Sequence, residues 1–173
     1  MSVEEVGSRL VRVVGLITDY CRVLENVREY ERLEFVARML DLLPRIYWEF
    51  SDIDETELIG DSEYDYFPTY VDEEFYSEIL RNVELVMGED DVFLETFEED
   101  MKYSDTPVAA SIAESLADIF QPLYNFIANA KDSDEEGIQG AFRECKENFI
   151  SYWAQTLCNV MRALNSVRYN AKN

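Results

Sequence analysis

The chain has 173 residues, 47% of them hydrophobic, with 6 glycines, 4 prolines, 3 cysteines, no histidine and a formal net charge of −22. At that length one compact domain (1–173) buries roughly 70% of its unfolded surface, and the abundance of aliphatic and aromatic residues argues against disorder. The absence of histidine excludes Ser-His-Asp and Cys-His nucleophile systems, His-ligated zinc and the Glu-x-x-His sites of di-iron bundles; no apolar run approaches the roughly 20 residues of a membrane span.

The opening residues, MSVEEVGSRL, place Glu4 and Glu5 where a secretion signal needs positive charge. Cys21, Cys145 and Cys158 form no CxxC pair. Cys145 and Cys158 fall on one predicted helix, about 20 Å apart, too far to bridge. All three are expected to be buried small hydrophobes, and the compartment reads as cytoplasmic.

Residues 3–27 carry an a/d seam of Val3, Val6, Leu10, Val13, Ile17, Tyr20, Leu24 and Val27, which predicts a long first helix. A second helix follows a turn near Glu29–Glu31. Its apolar positions are Leu33, Val36, Leu40, Leu43, Tyr47 and Phe50, widened by Phe35, Met39, Leu42 and Ile46. Pro44 is expected to kink or divide it.

Residues 51–105 hold 20 acidic and 2 basic residues, a local charge of −18, while the segments on either side carry −2 each. This stretch opens as a long acidic loop between the second and third helices. A third helix is predicted from Asp72 to Met87, with acids in its first turn and Gly88 as its stop. Residues 89–105 could add a short helix.

Thr106-Pro107 has the chemistry of a helix start, because proline suits the first helical position and forces its predecessor out of helical dihedrals. The fourth helix should bury Val108, Ile112, Leu116, Ile119, Leu123 and Ile127, bent at Pro122. Its run of Ala109, Ala110, Ser111, Ala113, Ser115 and Ala117 suggests close approach on more than one side. Ser133-Asp-Glu-Glu136 is a capping box opening a fifth helix to about Tyr169, with a seam of Phe142, Cys145, Phe149, Tyr152, Leu157, Val160, Leu164 and Val167. The fold class is therefore all-α, an up-and-down antiparallel bundle of about five helices.

Four groups of residues could carry chemistry. Asp52, Asp54, Thr56, Ile59 and Glu63 match an EF-hand loop, but Glu57 stands where that loop needs glycine; weak cation binding is the reading that survives. Glu31-x-x-Glu34 followed by Glu49-x-x-Asp52 resembles the Mg²⁺-holding carboxylates of all-α nucleotide pyrophosphohydrolases, a pattern that chance also produces in so acidic a chain. Glu114 and Asp118 share a helix face at i, i+4, with Asp105 nearby. Glu114 points nearly opposite the apolar stripe, as on a solvated face. Asp118 lies well to the side, and the pair reads first as a solvated stripe; the flanking small residues offer the alternative that Asp118 is partly buried and paired with an arginine of the fifth helix. Tyr64, Tyr66, Phe67, Tyr70, Phe75 and Tyr76 lie among the acids, either pinning the loop or forming a binding surface.

Asp100-Met-Lys-Tyr-Ser-Asp105, Pro107, Ser111-Ile-Ala-Glu114, Leu116-Ala-Asp-Ile119, Glu144-Cys145, Asn148-Phe149, Tyr152-Trp153, Gln155, Arg162-Ala-Leu164 and Val167-Arg-Tyr169 together resemble the signature of a bacterial domain-of-unknown-function family, number 5063 in that series. Phe120 and Pro122 depart from it, standing where a tyrosine and a polar residue are expected. The resemblance implies an all-helical bundle and no activity. The candidate binding residues are Tyr103, Asp105, Glu114, Asp118, Tyr152, Trp153 and Arg162, with no catalytic set, no cofactor and no convincing metal site.

The function these observations favour is non-enzymatic, the binding of a basic protein partner. The acid excess disfavours direct binding to nucleic acid or to an anionic membrane. Two other readings are mimicry of nucleic acid toward a basic partner, and a carboxylate-Mg²⁺ or -Mn²⁺ enzyme acting on a small phosphorylated substrate such as a nucleotide.

Overall fold

The computed structural model describes residues 1–60, 66–95 and 108–170, apart from the side chain of Val3. Helix α1 (Val3–Glu25) begins with a capping box in which Ser2 and Glu5 satisfy each other's backbone amides. Its seam is buried from Val6 through Val27, with Ile17, Tyr20 and Leu24 fully enclosed. A 3₁₀ turn at Val27–Glu29 leads into α2 (Arg32–Asp52), which runs through Pro44 without being divided. Its buried face is Phe35, Met39, Leu42, Ile46 and Phe50, flanked by Val36 and Leu43. Leu33 and Tyr47, predicted to be core, are exposed; the stripe is rotated because the larger rings sit on the Phe35–Phe50 side. Phe50 there meets the rings of Phe142, Phe149 and Trp153 at 4.8, 5.6 and 4.9 Å.

After a 3₁₀ turn at Glu55–Glu57, α3 (Glu73–Met87) starts where Asp72 accepts from the amide of Phe75. It stops at Gly88, whose φ of 53° suits a residue without a Cβ. Of the ambiguous stretch 89–105, which could have added a short helix, the described part forms a 3₁₀ turn (Gly88–Asp91) and a strand, β1 (Val92–Leu94), paired antiparallel with β2 (Ala109–Ser111), and residues 96–105 lie outside the described residues.

The fourth helix, α4 (Ile112–Ala130), therefore begins later than the Thr106-Pro107 cue suggested; those two residues lie outside the described set. Ser111 caps it by accepting from the amide of Glu114. Buried Asp91 accepts from the Ser111 hydroxyl at 2.7 Å and the Ala113 amide at 2.8 Å. Two short side chains thus absorb helix-start donors that a Thr-Pro start would have left to other partners. Val108 is consequently exposed rather than core. Pro122 does not interrupt the helix.

Helix α4 is the central rod, packed against α1, α3 and the last helices. Ala113, Ser115 and Ala117 are all buried, which is the close approach that their size foretold. Asp134, not Ser133, caps α5 (Glu135–Asn148) by accepting from the amide of Gly137. A π turn (Phe149–Trp153) joins α5 directly to α6 (Ala154–Asn170). With those two segments counted as one rod, the described residues form an all-α bundle of five helices with one minimal hairpin.

Candidate functional site

The π turn decides which residue faces α4. Five residues instead of four fill its turn, so Trp153 rotates into the core and its indole N–H donates to the carbonyl of Cys145 at 3.3 Å. Tyr152, predicted as part of the seam, is left 56% exposed. Its hydroxyl donates to Oδ2 of Asp118 at 3.0 Å. From the opposite side, Tyr76 on α3 donates to Oδ1 of Asp118 at 2.6 Å. Asp118 is half-buried and paired, which is not the solvated stripe of the first reading but the alternative its small neighbours offer, and its partners are two phenols and not an arginine.

Below this pair of contacts Tyr20 is fully buried and donates to the carbonyl of Leu116 at 2.8 Å. Pro122 has no amide hydrogen, so it supplies no helical bond to the Asp118 carbonyl four residues earlier. A shallow groove of about 220 Å³ follows, lined by Asp118, Gln121, Pro122, Asn125, Asn148 and Tyr152 among others. Burial, the hydrogen bond to Asp118 and the charges of Asp118 and Glu114 all push the Tyr76 hydroxyl well above its ordinary range. Tyr76 is thus a neutral donor at every physiological pH. Neutral donors hold the Asp118 carboxylate in place without cancelling its charge, and Glu114 adds a second carboxylate beside it. Such a groove accepts hydrogen bonds and attracts cations.

The other predicted residues go elsewhere. Glu114 is exposed. Arg162 donates to the carbonyl of Leu94 on β1, in a separate groove shared with Arg32, Asp90 and Ser166. Arg168 lies over the ring of Tyr169, 5.2 Å from its centre. Tyr103, Asp105, Glu63 and Tyr64 lie outside the described residues. Tyr66 and Tyr70 are exposed, whereas Phe75 packs on Phe120 and Tyr124 at 5.4 and 5.0 Å.

Of the carboxylates considered for metal, Glu49, Asp52 and Asp54 are engaged otherwise. Arg9 of α1 binds Glu49 at 2.7 Å and Asp52 at 2.8 Å. Asp54 accepts from both the amide and the hydroxyl of Thr56 at 2.9 and 2.8 Å. Glu31 precedes α2 at its N-cap position without a side-chain bond, and Glu34 lies in the exposed first turn. Among the described residues no three carboxylate or cysteine groups converge as a metal site.

Cys21 and Cys145 are buried, and burial raises both thiols. Cys158 is exposed, against expectation, because it follows the buried seam residue Leu157 and falls outside the stripe that Leu157, Val160 and Leu164 bury. Sequence reasoning also missed three buried polar residues of α5. Gln139, Arg143 and Lys146 hold the segment after α2 by contacts to Ile59, to the carbonyls of Leu58 and Ile59, and to the carbonyl of Ile53. Their i, i+4, i+7 spacing on an otherwise apolar face was the available signal.

A family profile described as "Domain of unknown function (DUF5063)" matches residues 4–170. The chain belongs to this family. A solved relative in fold is the crystal structure of protein BF1032 from Bacteroides fragilis, a structural-genomics target. It is 30% identical, with a TM-score of 0.78 over 95% of this chain and 94% of that one. No curated protein matches the chain. The DUF5063 description names no activity, so the functional reading rests on the geometry above. No helix among the described residues is long and apolar enough to cross a membrane.

Proposed function

We propose that this DUF5063 protein is a non-enzymatic binding module that receives a basic protein surface on the α3–α4 side of the bundle. The observation that carries this reading is the outer face of α3. Glu73, Glu74, Glu78 and Glu84 are exposed there, and no ion pair among the described residues engages any of them. Arg9, Arg32, Arg38 and Arg45, by contrast, each have a carboxylate partner. These acids share α3 with Tyr76, whose hydroxyl holds Asp118, and exposed Tyr66 and Tyr70 lie just before α3. Carboxylates supply steering and orientation toward a basic surface, and tyrosines supply contact area at low entropic cost.

The test compares two variants in binding a fluorescent arginine-rich peptide over a salt series. One neutralises Glu73, Glu74, Glu78 and Glu84 to Gln; the other neutralises Glu34, Asp41, Glu144 and Glu147. Loss confined to the first supports a localised docking face. Equal loss in both would mean that only bulk charge is being read, and the proposal would fail.

A further inference from the structure

Tyr76 of α3 donates to Oδ1 of Asp118 at 2.6 Å, and Tyr152 donates to Oδ2 at 3.0 Å. Asp118 and Tyr152 both line the groove of about 220 Å³, so the contact between them is part of its wall. That volume is below the roughly 300–1,000 Å³ of sites that enclose a small molecule, and suits a single side chain. Asp118 carries the only formal charge among the described residues that line the groove. No ion pair among the described residues engages its carboxylate. An ionised carboxylate offers about four lone-pair sites, and the two phenols fill two of them. The groove therefore holds a half-buried anion that is oriented but not neutralised.

The rest of the wall extends the set of acceptors. Gln121 and Asn148 are exposed and line the groove, each with an amide oxygen able to accept. Pro122 supplies no amide to the Asp118 carbonyl, so a backbone acceptor of the same residue lacks its helical donor. The Tyr152 ring is more than half exposed and offers a flat surface. Acceptors spread over several atoms beside an exposed ring match a guanidinium, which is planar, carries five donors and stacks on aromatic faces. An ammonium concentrates three donors at one point and matches them less well. We propose, resting on the docking face described above, that the Asp118 groove seats one arginine side chain of the basic protein partner. Two of its N–H groups meet the open lone pairs of Asp118, a third reaches the amide oxygen of Gln121 or Asn148, and the guanidinium plane lies against Tyr152.

Two-dimensional NMR of the whole chain tests this, at a salt concentration that screens exposed charges more than about 8 Å apart. The probes are the peptide acetyl-Gly-Ser-Arg-Ser-Gly-amide and its lysine and citrulline counterparts. The arginine peptide should move the side-chain amides of Gln121 and Asn148 and the ring of Tyr152. The lysine peptide should bind more weakly, and the uncharged citrulline peptide should leave these signals in place. Asp118→Asn keeps an oxygen for a phenol but removes the charge, and should weaken the arginine peptide about tenfold, a loss of about 1.4 kcal/mol. Gln121→Lys, at an exposed helix position, puts a cation in the groove and should abolish binding with the fold intact. Equal affinity for the arginine and lysine peptides, unchanged affinity in either variant, or tighter binding of free arginine or Mg²⁺ than of the peptide overturns the proposal. Neutralising Glu73, Glu74, Glu78 and Glu84 should weaken an arginine-rich peptide yet leave the single-arginine peptide within about twofold. An α3 effect without any groove response sinks the arginine seat alone, whereas a groove response without an α3 effect sinks the docking face.

Discussion

The hydroxyl of Tyr76 on α3 lies 2.6 Å from Oδ1 of Asp118 on α4, and this contact joins the acidic face to the central helix of the bundle. A phenol donating to a carboxylate forms a charge-assisted bond, worth about 1.5–3 kcal/mol. Tyr76→Phe should therefore lower Tm by about 3–12 °C, at about 2–4 °C per kcal/mol for a chain of this size. Tyr152→Phe should cost less than about 1 kcal/mol, because its hydroxyl contact lies in solvent. A double-mutant cycle by denaturant unfolding measures how far the two phenols act together.

Alkaline pH should weaken the fold through the same cluster. Burial first, and then Asp118, raise the hydroxyl of Tyr76; burial first, and then the charges of Cys21 and Asp118, raise that of Tyr20. An unfolded tyrosine releases its proton near pH 10, whereas these two retain theirs in the native state. The native chain then binds more protons than the unfolded one above about pH 10, so stability is full below that value and falls as pH rises beyond it. Unfolding midpoints measured across this range should show the decline, and Tyr76→Phe should reduce its slope. A tyrosinate absorbance titration of the folded protein should show at least three phenols that ionise late, Tyr20, Tyr76 and, raised by burial, Tyr124.

Much of this was legible in the sequence, and the gaps have physical causes. The seam of α1 could be read because an amphipathic helix buried on one side displays its period. In α2, apolar residues cover so wide an arc that the buried centre could not be located until the Phe50 cluster existed to claim it. The start of α4 was misplaced because Thr106-Pro107 is a good local cue, while Ser111 wins with help from Asp91, 20 residues away. The π turn had a trace: the predicted seam steps by 3 or 4 until Tyr152, then by 5 to Leu157. The tyrosine partners of Asp118 could not be read, since they lie 42 and 34 residues distant and their meeting depends on that turn.

Arg9 separates the structural from the metal-binding reading of the α1–α2 carboxylates. Its side chain is 11% exposed and bridges Glu49 and Asp52. Arg9→Gln should cost about 1–2 kcal/mol, between the limits for exposed and buried pairs, seen as a Tm drop of about 2–8 °C. If the two acids serve only to hold Arg9, millimolar Mg²⁺ or Mn²⁺ should leave the wild-type Tm unchanged and restore the variant by little. A clear rise of wild-type Tm with either ion would instead place a cation there.

Asp91 offers the most local test of how the hairpin sets the origin of α4. It is only 8% exposed, and it accepts from the Ser111 hydroxyl and the Ala113 amide where the partial positive charge of the helix start is greatest. Asp91→Ala removes both acceptors and the favourable charge, and should cost about 2 kcal/mol, the upper part of the range for lost caps. Asp91→Asn keeps one side-chain oxygen for the Ala113 amide and should cost about half as much. Ser111→Ala leaves Asp91 on the Ala113 amide but exposes that of Glu114. Hydrogen exchange should accordingly speed up at Ala113 in Asp91→Ala and at Glu114 in Ser111→Ala. If both variants frayed the same amides equally, the two caps would be one cooperative unit rather than two separable contacts. Because Asp118 lies less than two turns further along α4, loosening of this start should also weaken the Tyr76 contact. The late-ionising phenol of Tyr76 would then titrate earlier in Asp91→Ala than in the wild type.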